Sequence, residues 1–176
     1  TKGDTWTVMA KFGDGEINTS FTNYSLTINN TAPTITTVLL NASPTPDNYT
    51  FENLTIWVDA TDEDDDTINA YVRWFNNSIE WPDSTDNRIA GVNDGSFTLL
   101  DYINASSTTK IQNWTAMIQI DDGASNASLF VNHSLIIRNS PANVTLAEIN
   151  SSTTRSNLTD ENLTLWYQIS DLDNET

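Results

Sequence analysis

The chain has 176 residues, of which 38% are apolar, and it carries 24 acidic against 7 basic side chains for a net charge of -17. The apolar share, with six tryptophans, is enough to fill a core, and the charge argues against nucleic acid or an anionic membrane surface as partner and in favour of cations. The absence of cysteine removes disulfides and thiolate metal sites, and no apolar run is long enough to span a bilayer.

In chain order, apolar and polar residues alternate with the two-residue period of strands. "TWTVMAKF" sets Trp6, Val8, Ala10 and Phe12 on one face, and "SLTIN" follows as a second strand. After the polar, proline-bearing "NNTAP", "ITTVLL" opens a new series, and "NLTIWVDA" puts Leu54, Ile56, Val58 and Ala60 together. "INAYVRWF" does the same for Ile68, Ala70, Val72 and Trp74, and "SFTLLDYI" leads to the turn "NASSTT". "NWTAMIQI" aligns Trp114, Ala116, Ile118 and Ile120, "SLIIRN" closes the series, and after "RNSPA" the segment "NLTLWYQI" aligns Leu163, Leu165, Tyr167 and Ile169. No helical stripe of useful length occurs. Trp6, Trp74 and Trp114 are expected in the core by their apolar company, whereas Trp57 and Trp166 fall on the opposite, outward face.

The chain repeats itself. Residues 52–67 match 161–176 at an offset of 109 with eight of sixteen identical, and 1–15 match 109–123 at an offset of 108 with seven of fifteen identical. The boundaries fall at "NNTAP" and "RNSPA". Residues 1–30 are therefore expected to be the closing strands of a preceding unit, 31–139 a complete unit, and 140–176 the opening strands of a following one. The expected fold is all-β, with tandem antiparallel β-sandwich units of about 109 residues. The window looks cut from a longer precursor.

"ATDEDDDTINAYVRWFNNS", followed by "NWTAMIQIDDGASNAS" and "NSPANVT", resembles the tandem immunoglobulin-like, cadherin-like or PKD-like repeats of prokaryotic cell-surface proteins. That resemblance implies immunoglobulin-like units in extracellular stalks, adhesins, surface layers or fibres. The chain departs from the usual Asp-x-Asp-Gly-Asp loop in having Asp65 at the glycine position.

In such a sandwich the loop bearing Asp62, Asp64 and Asp66 lies at the same end as the loop bearing Asp121 and Asp122, beside the entering linker. Clustered carboxylates without His or Cys suit Ca²⁺, which takes six to eight oxygen ligands. The alternate spacing recurs as Asp171, Asp173 and Glu175. Calcium at these acids is expected to stiffen one unit against the next; the competing reading is a solvated acidic loop that keeps the polymer soluble.

Asn-x-Ser/Thr occurs at Asn18, Asn23, Asn29, Asn41, Asn48, Asn53, Asn76, Asn104, Asn113, Asn126, Asn132, Asn143, Asn150, Asn157, Asn162 and Asn174, which is 16 of 22 asparagines. With 42 Ser plus Thr in 176 residues, random placement gives about five. The excess points to covalent N-glycans and an extracellular or cell-surface location, and the density of sequons without cysteine to an archaeal source. The only histidine, His133, aligns with Tyr24, so it is expected to fill a strand position rather than to catalyse. Asp94, Asp101 and Glu80 do not form a recognisable carboxylate pair, and no enzyme is expected. The expectation is a calcium-stabilised, glycosylated structural segment whose partners are neighbouring copies of itself. The alternative is an adhesion or carbohydrate-binding module using outward Trp57.

Overall fold

A computed structural model describes residues 1–82, 87–124, 130–151, 159 and 162–173. These residues form twelve strands: β1 (Thr5–Ala10), β2 (Thr22–Thr27), β3 (Thr34–Ser43), β4 (Asn53–Thr61), β5 (Ile68–Asn76), β6 (Ile79–Glu80), β7 (Asn87–Val92), β8 (Thr98–Ile103), β9 (Asn113–Asp121), β10 (Val131–Ile136), β11 (Asn143–Ser151) and β12 (Leu163–Ser170). The one helical element among the described residues is a 3-10 turn, Ala105–Ser107. All strand pairs are antiparallel.

Two sheets make the central block. One has the order β3-β4-β8; the other runs β10-β9-β5-β6, with β7 also paired to β5. Each sheet buries one face, and the two faces contribute to a single core. Leu54, Ile56, Val58 and Ala60 of β4, Ile68, Ala70, Val72 and Trp74 of β5, and Trp114, Ala116, Ile118 and Ile120 of β9 are all buried in it, as their alternation predicts. Trp74 and Trp114 meet edge to face at 6.4 Å, and Trp81 packs on Trp114 at 5.0 Å. Their indole N–H groups are also satisfied, Trp74 donating to Asp101 Oδ2 at 2.9 Å and Trp114 to Gln112 Oε1 at 3.0 Å. Glu80 is held by Arg73 through two guanidinium nitrogens, each 2.8 Å from a carboxylate oxygen. Asp101 and Glu80 thus serve an indole and an ion pair.

Two further sheets have two strands each, β1-β2 and β11-β12. Their registers duplicate pairs in the central block. Trp6 pairs with Leu26 and Thr7 with Ser25, as Trp114 pairs with Leu135 and Thr115 with Ser134. Both Thr–Ser pairs share a hydroxyl hydrogen bond of 2.7 Å. Likewise β11-β12 reproduces β3-β4, including its bulge: the shift between Val144 and Leu146 corresponds to that between Ile35 and Thr37. At the bulge the Thr145 hydroxyl donates to the Gln168 carbonyl at 3.3 Å and the Thr36 hydroxyl to the Asp59 carbonyl at 2.9 Å. The environments differ sharply. Trp6 is 68% exposed where Trp114 is 0%, and Leu165 is 64% exposed where Ile56 is 0%. The expectation that Trp6 lies in a core therefore fails here, because among the described residues no second sheet covers β1-β2.

At the end of the central block away from the acid loop, the connection from β3 to β4 folds around Glu52, which is fully buried. Its carboxylate accepts the Thr45 N–H at 2.7 Å, the Thr45 hydroxyl, and the Tyr49 N–H at 2.8 Å. The charge replaces ladder partners that this irregular backbone lacks. In the β1-β2 connection, Asp14 Oδ1 accepts the Ile17 and Glu16 amides at 2.9 and 3.0 Å, and these donors, Ile17 first, hold its carboxyl below the usual aspartate value.

Two outcomes are expected. Glu52→Ala removes the shared acceptor of three donors, and because Thr45 is exposed and its two donors can turn to water, the cost in urea denaturation should be about 1–3 kcal/mol, that of one buried network member lost. A depressed carboxyl stabilises the fold above its ordinary value and loses that effect as the pH falls through the lower folded value. The β1-β2 connection should therefore keep its amide protection at pH 5 and lose it below the ordinary aspartate value of 3.8, read by hydrogen exchange at Glu16 and Ile17.

Candidate metal centre

β4 ends at Thr61, and the acid loop follows at once. Asp62 is 5% exposed. Its Oδ1 accepts the Asp64 N–H at 2.8 Å and the Asp66 N–H at 3.3 Å, so one carboxylate oxygen organises the turn. Its Oδ2 is buried and has no hydrogen-bond partner. Asp65 stands in the left-handed region at φ 58°, which aspartate tolerates better than most residues. The residue in the usual glycine position therefore adopts the conformation that a glycine favours.

One oxygen each from Asp62, Asp66 and Asp122 lies within 4.8 Å of the others. At that spacing each pair of carboxylates repels by about 3–4 kcal/mol at an effective dielectric constant of about 20. One compensating charge is built in, since the Lys2 ammonium pairs with Asp66 Oδ2. Lys2 also donates to Asn30 Oδ1 at 3.1 Å, and Asn30 Nδ2 donates to Asp122 Oδ2 at 2.6 Å. Three carboxylates and one ammonium leave two negative charges. An oxygen-only donor set of this charge, with an unpartnered buried oxygen, fits a divalent hard cation, and Asp62, Asp66 and Asp122 are the residues that would hold it.

The other expected ligands have different work. Asp64 Oδ2 accepts the Thr31 N–H at 2.7 Å and so captures the linker backbone. Asp121 is buried, and its Oδ1 accepts the Gly123 N–H at 2.8 Å and Asn69 Nδ2 at 2.9 Å, which closes the turn after β9. Asp94, not expected from spacing, accepts the Asp62 N–H at 3.3 Å.

The second linker repeats the first. Ser140 N–H donates to Asp173 Oδ2 at 2.5 Å, and Asp171 Oδ1 accepts the Asp173 N–H at 2.8 Å. Asn139 Nδ2 donates to the Ser140 carbonyl at 3.0 Å as Asn30 Nδ2 does to the Thr31 carbonyl at 3.1 Å, and Lys110 stands 3.5 Å from Asn139 Oδ1. Thr50 ties this linker to the central block through Ser140 Oγ at 2.6 Å and Asp173 Oδ1 at 2.5 Å. Glu175 lies outside the described residues.

Of the sequon asparagines, Asn18, Asn23, Asn29, Asn53, Asn104, Asn113, Asn132, Asn143 and Asn162 are exposed, and Asn41, Asn48, Asn76 and Asn150 are half-buried. Asn126, Asn157 and Asn174 lie outside the described residues. Trp57 is half-buried on the outer face of the three-stranded sheet, where it pairs with Leu39 and Leu99 to form an apolar row. His133 is an exposed position of β10, opposite Ala116.

Asp62→Asn keeps Oδ1 for the two amides and removes the charge at Oδ2, so it should weaken Ca²⁺ binding at least tenfold by calorimetry, about 1.4 kcal/mol or more. Lys2→Met should act the other way, raising Ca²⁺ affinity up to about fivefold because a partly exposed pair is worth about 0–1 kcal/mol. Comparison with family models, with curated proteins and with solved structures gives no match in any of the three, so a functional reading of this junction stands on its own chemistry.

Proposed function

We propose that the chain is a structural segment of a secreted, N-glycosylated filament, stalk or surface layer, in which immunoglobulin-like β-units of about 109 residues follow one another and calcium stiffens the joints. On this reading residues 1–30 and 140–176 belong to flanking units and 31–139 to a complete one. The observation that carries it is the recurrence of one joint. An aspartate two residues into each acid turn takes the first linker amide, Thr31 to Asp64 and Ser140 to Asp173.

The mechanism is mechanical. Each linker is clamped to the acid loop of the unit it enters, and in the first joint Lys2 and Asn30 come from the preceding hairpin to the Asp66 and Asp122 carboxylates. A cation held by Asp62, Asp66 and Asp122 would neutralise the remaining repulsion and turn a jointed chain into a rod. Glycans on the sequons would coat the outside and cover strand edges that otherwise invite aggregation; none of the described sequon asparagines is buried. The sequon density favours an archaeal cell surface.

A second reading draws on the outward row of Leu39, Trp57 and Leu99, beside which Tyr102 is exposed. Aromatic and apolar groups aligned on a sheet face suit the flat face of a sugar ring, which would make the unit a carbohydrate-binding or adhesion module.

Native mass spectrometry of material from its natural host tests the main reading, with added sugar mass and bound calcium expected together. Ca²⁺ should also raise the melting temperature, and a chelator should reverse the shift. Bare protein with a melting temperature indifferent to calcium would remove the reading. Trp57 fluorescence that changes on titration with an oligosaccharide, and not with calcium, would move the assignment to the module.

A further inference from the structure

The middle strand of the three-stranded sheet carries a sequon and an outward tryptophan on one line. Asn53, Thr55 and Trp57 of β4 face away from the core, while Leu54, Ile56 and Val58 between them are fully buried. β8 sets Tyr102 beside Thr55 and Leu99 beside Trp57, and β3 sets Leu39 on the other side of Trp57. Tyr102 is 53% exposed, Leu39 45% and Leu99 42%, and Trp57 is half-buried among them. An apolar strip therefore begins one pleat from Asn53 and runs away from it along β4. All three strands of this sheet belong to the central block.

Three sequons bound the strip. Asn41 pairs with Thr55, Asn53 pairs with Ser43, and Asn104 follows β8 directly. The Asn53 side chain is oriented by its Oδ1, which accepts the Ala105 N–H at 2.9 Å. This leaves Nδ2, the atom that takes a sugar, on an exposed residue. Tyr102 is the diagonal cross-strand neighbour of Asn53, about 7–8 Å away, and Trp57 is four residues along, about 13 Å. A sugar bonded to Nδ2 reaches the first ring, and the sugars after it reach the second. The apolar C–H face of a pyranose suits the electron-rich face of an aromatic ring.

We propose that this strip is the bed of the chain's own N-glycan: the first sugar on Asn53 packs on Tyr102, and the sugars beyond it lie on Trp57 between Leu39 and Leu99. This rests on the N-glycosylated reading above and adds the surface on which one glycan lies. Attachment favours this occupant over a free oligosaccharide, because a short tether holds the sugar at about millimolar effective concentration. A protein partner would have to pass sugars at three sequons. The bed also gives an outward tryptophan a task in both copies. Asn53, Thr55 and Trp57 recur as Asn162, Thr164 and Trp166, and Asn150 stands opposite Thr164 as Asn41 does opposite Thr55. Covering the strip takes apolar surface out of water, so the glycan stabilises the sheet beneath it.

The glycoprotein from its natural host tests this. Glycopeptide mass spectrometry should find sugar on Asn53. In NMR spectra of the intact glycoprotein, protons of that glycan should be shifted upfield by the two rings and give Overhauser contacts to them. Tyr102→Thr and Trp57→Thr should each return the corresponding sugar protons to free-glycan positions, and each should lower the melting temperature more in glycosylated than in unglycosylated protein. Thr55→Val removes the sequon, keeps the Asn53 bond to Ala105, and should abolish that difference. The wild-type spectra decide the matter even where a variant does not fold. An occupied Asn53 whose sugar protons sit at free-glycan positions, or a bare Asn53 beside sugars elsewhere, would overturn the bed and leave the glycosylated reading standing. Uptake of free oligosaccharide at Trp57 by the glycoprotein would overturn it in favour of an outside ligand. A chain bare at every sequon removes both readings.

Discussion

The amide of Thr31 has left one strand pair and not yet entered the next, so no ladder neighbour receives its proton. The carboxylate of Asp64 receives it instead. That bond decides where the linker lies, and the position of the linker decides that Lys2 and Asn30 reach the acid loop. Without it the carboxylates of Asp62, Asp66 and Asp122 would be a repelling group at the tip of a block, with no backbone crossing them. Thr31 is exposed, and the acceptor its amide takes is a carboxylate that links two parts of the chain.

The acid loop divides its carboxylates by task. Asp62 Oδ1, Asp64 and Asp121 accept amides and fix the backbone, while one carboxylate oxygen each of Asp62, Asp66 and Asp122 converges. Asp65 is exposed and makes the turn by its positive φ. A run of acids thus contains scaffold and candidate ligands interleaved, which is why single substitutions in it should differ so much in effect.

Much of the fold was legible in the residues. The alternation in "NLTIWVDA", "INAYVRWF" and "NWTAMIQI" identified the buried faces of β4, β5 and β9 residue by residue, because a strand offers only two sides. The same alternation failed for Trp6. It identifies the apolar side of a strand but not whether a second sheet lies over it. In the loop, oxygen ligands were legible from composition, but the division between Asp64 and Asp66 was not, since spacing does not reveal which carboxylate meets a backbone amide. Lys2 and Asn30 went unnoticed as parts of the junction although a signal existed: Lys110 and Asn139 recur at the offsets of 108 and 109 that the strands obey.

The chain enters the central block at Thr34, beside the acid loop, and leaves it after Ile136, beside Tyr49, to which Arg138 is bridged. These are opposite ends of the strands. A pull on the two linkers therefore runs along β3 and β10, at right angles to the hydrogen bonds that join them to β4 and β9. Bonds loaded in this direction are sheared together, whereas a hairpin pulled open at one end is peeled bond by bond. The entry and exit points therefore set the block to resist tension between its two linkers by shear.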